Sequence, residues 1–450
     1  MRANKIQIYP FEVLAILDYR SVQEPNEHGC VEITALISSG KREEYQTKAR
    51  RTIWVEVMVE DDVGNEELFF CGVLASMSIK IEPHECIMEL KLLTGTVFLE
   101  QEAHLRSFQG ESLTFRDVIN TCNDEYEDAT AIMTVGKDKK LPDLILQYYV
   151  DDWKFLRRMC ALNGSMLVPS HVGKGIKYFF GMPQLREKAV FDADSYTIIN
   201  GKIVSYAIDD REIYSIGTKV KFMEDTFFIW KIESKLKGGE LYHTYYITKD
   251  IAVLAKAQDP YDTRMIGASL YGEVVDVDDE QVKISISADE NAGNTGNRWF
   301  PFSTVYSSSD GAGWYCMPEI GDRIRLYFPS EKEGDSYVCS AVHEKKGEGI
   351  RTDPDNKIWR NKYGKEIRLT PDSILITNNK GNSIEMLDKS GILIKSNGSV
   401  RLQANGRVQI SSENAGIEVV ASERIRLQQG DAELLLKDGV QVTGAKINIM

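Results

Sequence analysis

The chain has 450 residues, which is too long for one ordinary hydrophobic core and predicts two to four domains. Hydrophobic residues make up 42% of it and charged residues 27%, which is typical of a soluble globular protein and argues against general disorder. The net charge of -14 argues against broad binding to a nucleic-acid backbone. Charged and polar residues interrupt each early apolar run, so we expect no signal peptide and synthesis in the cytoplasm.

The first 265 residues are predicted to combine β-strands with two helices. Runs rich in β-branched and aromatic residues indicate strands within 52–60, 68–81 and 86–99. The charged run 41–51 (KREEYQTKARR) is interpreted as a solvated loop.

Two segments carry the start and stop signals of helices. Thr114 can cap the first helix, and Asp151 or Asp152 can cap the second, which Gly164 is expected to end. The side chains that recur at helical spacing, and that we expect to face the core, are Val118, Ile119 and Cys122 in the first helix and Phe155, Leu156, Met159 and Leu162 in the second.

No combination of residues predicts catalysis or a bound metal or cofactor. The seven cysteines include no C-x-x-C pair, and His84 with Cys86 lacks a second pair of ligands. Asp151 and Asp152 could be imagined as paired carboxylates, but adjacent acids at a helix start usually act as caps. We therefore expect a protein that is not an enzyme and holds no cofactor.

Residues 271–343 predict a small closed β-barrel such as an OB-fold. Alternating β runs are interrupted there by Gly, Asn, Pro and Asp, and no helical pattern is convincing. The segment has more acids than bases, so a connecting role is favoured over nucleic-acid binding.

The last 90 residues have a different composition from the rest. After Tyr363 there is no aromatic residue, histidine or cysteine, and the chain becomes a series of eleven apolar-x-apolar triplets that recur on average every 8 residues. Each triplet predicts a short strand with two aliphatic side chains on one face. Such a chain must wind into a β-helix, either as a single-chain solenoid or with copies of itself.

Several segments resemble parts of one protein family. The segment 144–168 (LILQYYVDDWKFLRRMCALNGSMLV) resembles a hub-domain signature, and 299–328, with its Pro-x-Ile-Gly-Asp turn at 318–322, resembles a barrel domain. The segment 361–372 (NKYGKEIRLTPD) resembles the entry to a needle, and the octads resemble the needle itself. The chain therefore resembles the hub-spike proteins of contractile injection machines: VgrG of type VI secretion, the phage tail hub and needle, and related bacteriocin or extracellular particles.

The resemblance implies a fold and a domain order. The fold is mainly β with some α: a hub of barrel-like β domains with helices, an OB-fold barrel and a C-terminal trimeric β-helix. The implied domains are a hub with two β-rich subdomains (1–265), the barrel (266–345), a linker (346–363) and an octad-repeat needle (364–450).

The resemblance also implies a structural function. A homotrimer would nucleate the inner tube, contact tube-initiator and baseplate proteins, and puncture the target envelope when the machine contracts, with 41–51 as a candidate tube contact. A separate PAAR-type tip protein would dock at the needle end, near Lys446, Asn448 and Met450, and effector cargo could travel with it. The residues implied in the trimeric needle core are Ile367, Leu369, Ile374, Ile376, Ile384, Ile392, Ile394, Val400, Leu402, Val408, Ile410, Ile417, Val419, Ile425, Leu427, Val440, Val442 and Ile447.

Two other classes of function stay open from the sequence. A β-helix tailspike that cleaves polysaccharide needs clustered carboxylates and aromatic residues that stack on sugars, and the repeat contains neither. If the protein were a passive trimeric adhesin, the large N-terminal part of the chain would have no evident function. The sequence does not distinguish a phage tail from a bacteriocin, a secretion apparatus or an extracellular particle.

Overall fold

The computed structural model describes the chain except for residues 1, 2, 4, 50, 51, 62, 84, 186, 187, 193, 202, 257, 258, 292–295, 344–350, 438 and 440–450. The protein is mainly β with a few short helices, as the sequence predicts. It divides into two compact units, residues 1–344 and 345–450. Among the described residues, no helix has the length and apolar character that crossing a membrane requires.

Six antiparallel strands at the front form the first half of a large sheet. They are β1 (Lys5–Tyr9), β2 (Ala15–Gln23), β3 (Cys30–Ile37), β4 (Trp54–Glu60), β5 (Glu66–Ile81) and β6 (Cys86–Leu93). Their order across the sheet is β1-β4-β5-β6-β3-β2. Alternate residues such as Val31, Val57 and Met88 are fully buried, so one face of this half-sheet covers a core.

Helix α1 (Arg42–Lys48) lies in the charged run that we interpreted as a loop, so that interpretation is wrong. Tyr45 is buried, with its ring centroid 5.1 Å from that of Phe11 and its hydroxyl donating to the carbonyl of Glu12 at 2.9 Å. Glu44 and Lys48, one turn apart, form an ion pair. One aromatic anchor holds this short helix to the sheet, and a single apolar residue gives no helical periodicity in the sequence.

A mixed α/β segment follows, with strands β7 (Ala103–Phe108), β8 (Ala129–Met133), β9 (Ile145–Asp151), β10 (Leu167–Pro169) and β11 (Ile176–Phe180) and helices α2 (Phe115–Asn123) and α3 (Asp152–Leu162). Strands β7 and β9 pair antiparallel, and β10, β11 and β8 form a three-stranded sheet. A 3-10 helix (Gly95–Glu100) precedes them.

Both predicted helices are confirmed, and so are their caps. Thr114 and Asp117 form a capping box at the start of α2. Asp151 accepts the backbone N–H of Lys154 at 2.8 Å at the start of α3, and Gly164 follows the helix with φ of +61°, a conformation that glycine adopts without strain. The predicted inward residues of both helices are buried except Leu162, which is half-buried.

The second half of the large sheet comes from strands β12 (Lys188–Val190), β13 (Thr197–Asn200), β14 (Val204–Asp210), β15 (Lys219–Phe222), β16 (Asp225–Lys237) and β17 (Glu240–Thr248). Strand β16 pairs antiparallel with β2 and thereby joins the two halves into one twelve-stranded sheet. A short helix, α4 (Ile251–Lys256), and a 3-10 turn (Thr263–Met265) lead out of this sheet.

Five strands form the predicted barrel region: β18 (Ser269–Asp278), β19 (Gln281–Ile286), β20 (Trp299–Pro301), β21 (Arg323–Tyr327) and β22 (Tyr337–Cys339). Their order is β20-β19-β18-β21-β22, and a parallel bridge between Phe302 and Val338 brings the two outer strands together. Leu105 and Leu146 from the β7–β9 pair share the core of this region, so the five strands pack on the α/β segment.

The tail unit begins with an antiparallel meander of β23 (Lys357–Arg360), β24 (Glu366–Leu369), β25 (Ser373–Thr377), β26 (Ser383–Leu387) and β27 (Gly391–Lys395). A separate hairpin joins β28 (Ile425–Gln429) to β29 (Ala432–Leu436). Residues 357–360, which we assigned to the linker, form a strand because the turn at 361–364 folds them back onto β24.

Candidate functional site

The tail meander exposes a continuous aliphatic face. The register places Ile376 opposite both Ile367 and Ile384, and Ile384 opposite Ile394. Directly opposed residues on paired strands point to the same side of a sheet. Ile376, Ile384 and Ile394 are nevertheless 41%, 39% and 58% exposed. One copy of the chain therefore leaves this face open to solvent.

Three later triplets form no strand, although the sequence predicts one at each. They begin at Val400, Val408 and Ile417, within a stretch (396–424) whose described backbone has no strand pairing. Their first residues are 62%, 58% and 56% exposed. A strand requires a neighbour that accepts and donates its backbone hydrogen bonds, and a single chain supplies none at these triplets.

The predicted needle core is therefore mostly exposed in one copy of the chain. Ile367 and Ile425 are half-buried, and the other core residues that the structure describes are exposed. Their contacts in an assembly stay a prediction. The predicted core and docking residues that fall outside the described part of the chain are Val440, Val442, Lys446, Ile447, Asn448 and Met450.

A buried carboxylate fixes the start of the tail sheet. Glu366 is 3% exposed and accepts a hydrogen bond from Nε of Arg368 at 2.6 Å, while Nη1 of Arg360 lies 3.5 Å away. Asn379 donates to the carbonyl of Gly364 at 2.7 Å and to Glu366 at 3.3 Å. These contacts connect the first three strands at one edge of the meander.

Asp151 and Asp152 have separate structural roles. Asp151 caps α3 and pairs with Nζ of Lys154 at 2.7 Å. Asp152 is fully buried, and its Oδ1 accepts from Nη1 of Arg106 at 2.7 Å and from Gln147 at 2.9 Å. The cap interpretation therefore holds for Asp151 alone, because Asp152 turns inward to neutralise a buried guanidinium.

A second buried ion pair connects α3 to the five-stranded region. Nη1 of Arg158 lies 2.7 Å from Oε1 of Glu333, and both side chains are less than 10% exposed. Arg158 also donates to the carbonyl of Leu146 at 2.6 Å. This pair fixes the orientation of the five-stranded region on the α/β segment.

Sequence reasoning missed Arg106, His104, Glu290 and Glu333 as structural residues. Glu290 lies 186 positions from His104, and Glu333 lies 175 positions from Arg158, so no local spacing could have indicated these pairs. In β7, five of six residues are buried, and they include a histidine and an arginine, which the sequence of this strand does not reveal.

Four of the seven cysteines are buried in the structure. Cys71, Cys86, Cys122 and Cys160 are buried, and burial raises the pKa of the Cys71 thiol to about 11. The described cysteines are all free thiols. His84, considered with Cys86 as a metal pair, lies outside the described residues.

No protein-family model matches the sequence, and no curated protein matches it at a significant level. Solved structures do resemble the fold. A chain of the half-lidded Francisella PdpA-VgrG complex aligns over 87% of this chain and 88% of its own length, with a TM-score of 0.55 and 11% identity. A chain of the lidless form of that complex aligns over 85% and 94%, with a TM-score of 0.54 and 10% identity.

A third similar structure is the E. coli c3393 protein, described as a component of the type VI secretion system with structural similarity to the T4 bacteriophage tail proteins gp27 and gp5. It aligns over 75% of this chain and all of its own, with a TM-score of 0.50 and 9% identity. The chain is therefore similar in fold to these secretion-system and phage tail proteins. More particularly, this chain has a VgrG-like hub fold, as the sequence resemblance predicts.

Proposed function

We propose that this protein is a structural hub-spike subunit of a contractile injection system: a phage tail, a phage-tail-like bacteriocin, a type VI apparatus or an extracellular particle. Likeness to type VI and phage tail proteins supports a tail-related structural role. In the proposed role the first unit (residues 1–344, the body) nucleates the inner tube, and the tail unit pierces the target envelope. The proposal assigns no catalytic step to the chain.

The aliphatic face of the tail is the observation that carries this proposal. Soluble monomers rarely leave so many aligned Ile and Leu side chains in contact with water. Burying one such side chain contributes about 1.5–3 kcal/mol, so association that covers the face is strongly favoured. Two further copies of the chain would cover it and would also supply strand partners for the triplets at Val400, Val408 and Ile417. We infer a homotrimer with an intertwined β-helix.

The strand pairing of residues 269–339 supports the proposal that this region is an OB-type barrel. The first strand, β18, pairs with β19 and β21, and the outer strands meet at the Phe302–Val338 bridge. This strand order supports the proposal of a small closed barrel of the OB type. We propose that it connects hub and needle without contacting nucleic acid.

The proposed partners follow from this arrangement. Inner-tube or tube-initiator proteins and baseplate proteins would bind the hub. A PAAR-type tip protein would bind the needle end near Lys446, Asn448 and Met450, and effector cargo would be delivered with it. The chain would be made in the bacterial cytoplasm, assembled into a baseplate, and carried to or across the target envelope on contraction.

A pair of substitutions in one triplet tests the buried face. Val408→Asp places a charge in the proposed trimer core, whereas Gln409→Asp places the same charge on the opposite face of the same triplet. We expect the Val408→Asp protein to lose its detergent-resistant trimer on unheated gels and the Gln409→Asp protein to keep it. Equal trimer stability in the two variants would contradict the proposal.

A further inference from the structure

A buried histidine at the junction of four chain segments has one ring nitrogen without a hydrogen-bond partner. His104, on β7, is 5% exposed. Its Nδ1 lies 2.7 Å from Oε2 of Glu290, whereas its Nε2 is enclosed and makes no hydrogen bond. A buried polar atom without a hydrogen-bond partner costs about 1–3 kcal/mol of stability, so we expect a further group or ion to bind this nitrogen.

Two carboxylate oxygens face this nitrogen. Oε2 of Glu125 lies 3.5 Å from His104 Nε2, and Oδ2 of Asp152 lies 3.9 Å from it. These distances are long for hydrogen bonds. Ligands of one tetrahedral zinc ion, with bonds of about 2.0–2.2 Å, lie about 3.4 Å apart. The two separations from His104 Nε2 exceed this value by only about 0.1 and 0.5 Å.

The remaining atoms of the carboxylates are held by other groups. Arg106 donates from Nη2 to Oε1 of Glu125 and from Nη1 to Oδ1 of Asp152, which leaves Glu125 Oε2 and Asp152 Oδ2 directed at the histidine. Tyr126 donates to Asp152 Oδ2 at 2.9 Å, which still leaves that oxygen a lone pair. Arg106 thus acts as the group that orients both carboxylates.

Glu290 orients the imidazole in the same manner. Its Oε1 accepts the backbone N–H of Leu105 at 3.0 Å, and its Oε2 accepts from His104 Nδ1. A carboxylate that accepts from one ring nitrogen while the other binds a metal is the usual support of a histidine ligand.

The charges of the cluster also favour a divalent ion. Glu125, Asp152 and Glu290 provide three carboxylates, and the guanidinium of Arg106 compensates one of them. Two negative charges formally remain, which one divalent cation would balance. The nitrogen donor disfavours Mg²⁺ and Ca²⁺, which prefer oxygen ligands, and favours a first-row transition ion.

We propose that His104 Nε2, Glu125 and Asp152 form a structural site for a divalent transition-metal ion, with Zn²⁺ as the best match, and that Glu290 and Arg106 position its ligands. The ion joins β7, the turn after α2 and the start of α3, and through Glu290 it stabilises the attachment of the loop that follows β19. Glu125, whose side chain is 42% exposed, provides the route by which the ion enters.

Metal uptake by the untagged full-length chain tests this proposal. The chain is treated with a chelator, desalted, and titrated with Zn²⁺, with bound metal measured by plasma mass spectrometry. We expect one ion per chain, a higher melting temperature on loading, and intense visible absorption when Co²⁺ replaces Zn²⁺. We expect His104→Gln to abolish stoichiometric uptake and Glu290→Gln to weaken affinity about 10–100-fold.

Two further variants separate the site from nonspecific binding and from misfolding. His343→Gln removes an exposed histidine and should leave uptake unchanged. Glu125→Gln changes a partly exposed ligand and should lower Zn²⁺ affinity at least tenfold. It therefore tests the site even if the His104→Gln protein does not fold. A wild-type chain that takes up no ion, or uptake equal in wild type and Glu125→Gln, would overturn the proposal.

Discussion

Glu333 is predicted to be among the most important single side chains for the stability of the body. It faces Arg158 across 2.7 Å with 5% exposure, and the backbone N–H of Leu146 lies 3.4 Å from the same oxygen. Glu333→Ala leaves the guanidinium buried without its counter-charge, which costs about 3–5 kcal/mol of the free energy of unfolding. Glu333→Gln keeps a hydrogen-bond acceptor and is expected to cost less.

A double variant and a surface control show whether the cost arises from the lost counter-charge. Arg158→Met with Glu333→Leu removes both charges and should recover most of the stability lost in Glu333→Ala. Asp138→Ala breaks the exposed pair with Arg116, whose side chains are 86% and 42% exposed, and should cost at most about 1 kcal/mol.

Urea unfolding of the full chain, followed by tryptophan fluorescence, measures these differences because Trp153 lies buried in α3, the helix that carries Arg158. The reasoning would be refuted if Glu333→Ala lost no more stability than Asp138→Ala. It would also be refuted if the double variant were less stable than both Arg158→Met alone and Glu333→Leu alone.

Two further predictions concern pH and a helix cap. Burial lowers the pKa of His243 to about 4, so the unfolded chain takes up its proton at higher pH than the folded chain. His243 should therefore contribute a fall in stability of up to about 3 kcal/mol between about pH 6.5 and pH 4, and His243→Gln should remove that contribution from the pH dependence of the urea midpoint, unlike His343→Gln. Thr114→Ala removes the capping box of α2 and should lower the free energy of unfolding by about 1 kcal/mol, whereas a change within error in the same urea assay would count against the cap.

The sequence predicted well those features that depend on local patterns. Helices α2 and α3 have capping residues and a periodic apolar stripe, so their positions could be inferred without tertiary information. The first four tail triplets form strands whose alternation follows from the order of residues alone. In contrast, α1 depends on the contact between Tyr45 and Phe11, which are 34 positions apart, and its sequence has no periodic apolar pattern that would predict a helix.

The candidate sites were harder to predict because they depend on distant pairs and on other copies. His104 meets Glu290 because the five-stranded region packs on β7, and Asp152 differs from its neighbour Asp151 only in the direction that the backbone gives its side chain. The triplets at Val400, Val408 and Ile417 have strand patterns but lack partners in one chain. Sequence can specify a strand without specifying which chain completes the sheet.

The mass of the protein in solution tests the central claim most directly. Sedimentation equilibrium of the full-length chain at micromolar concentration should give three times the chain mass of 50.9 kDa. That result is predicted because the aliphatic face of the tail needs partner strands to cover it. A stable, soluble monomer of 50.9 kDa at that concentration would contradict the hub-spike account.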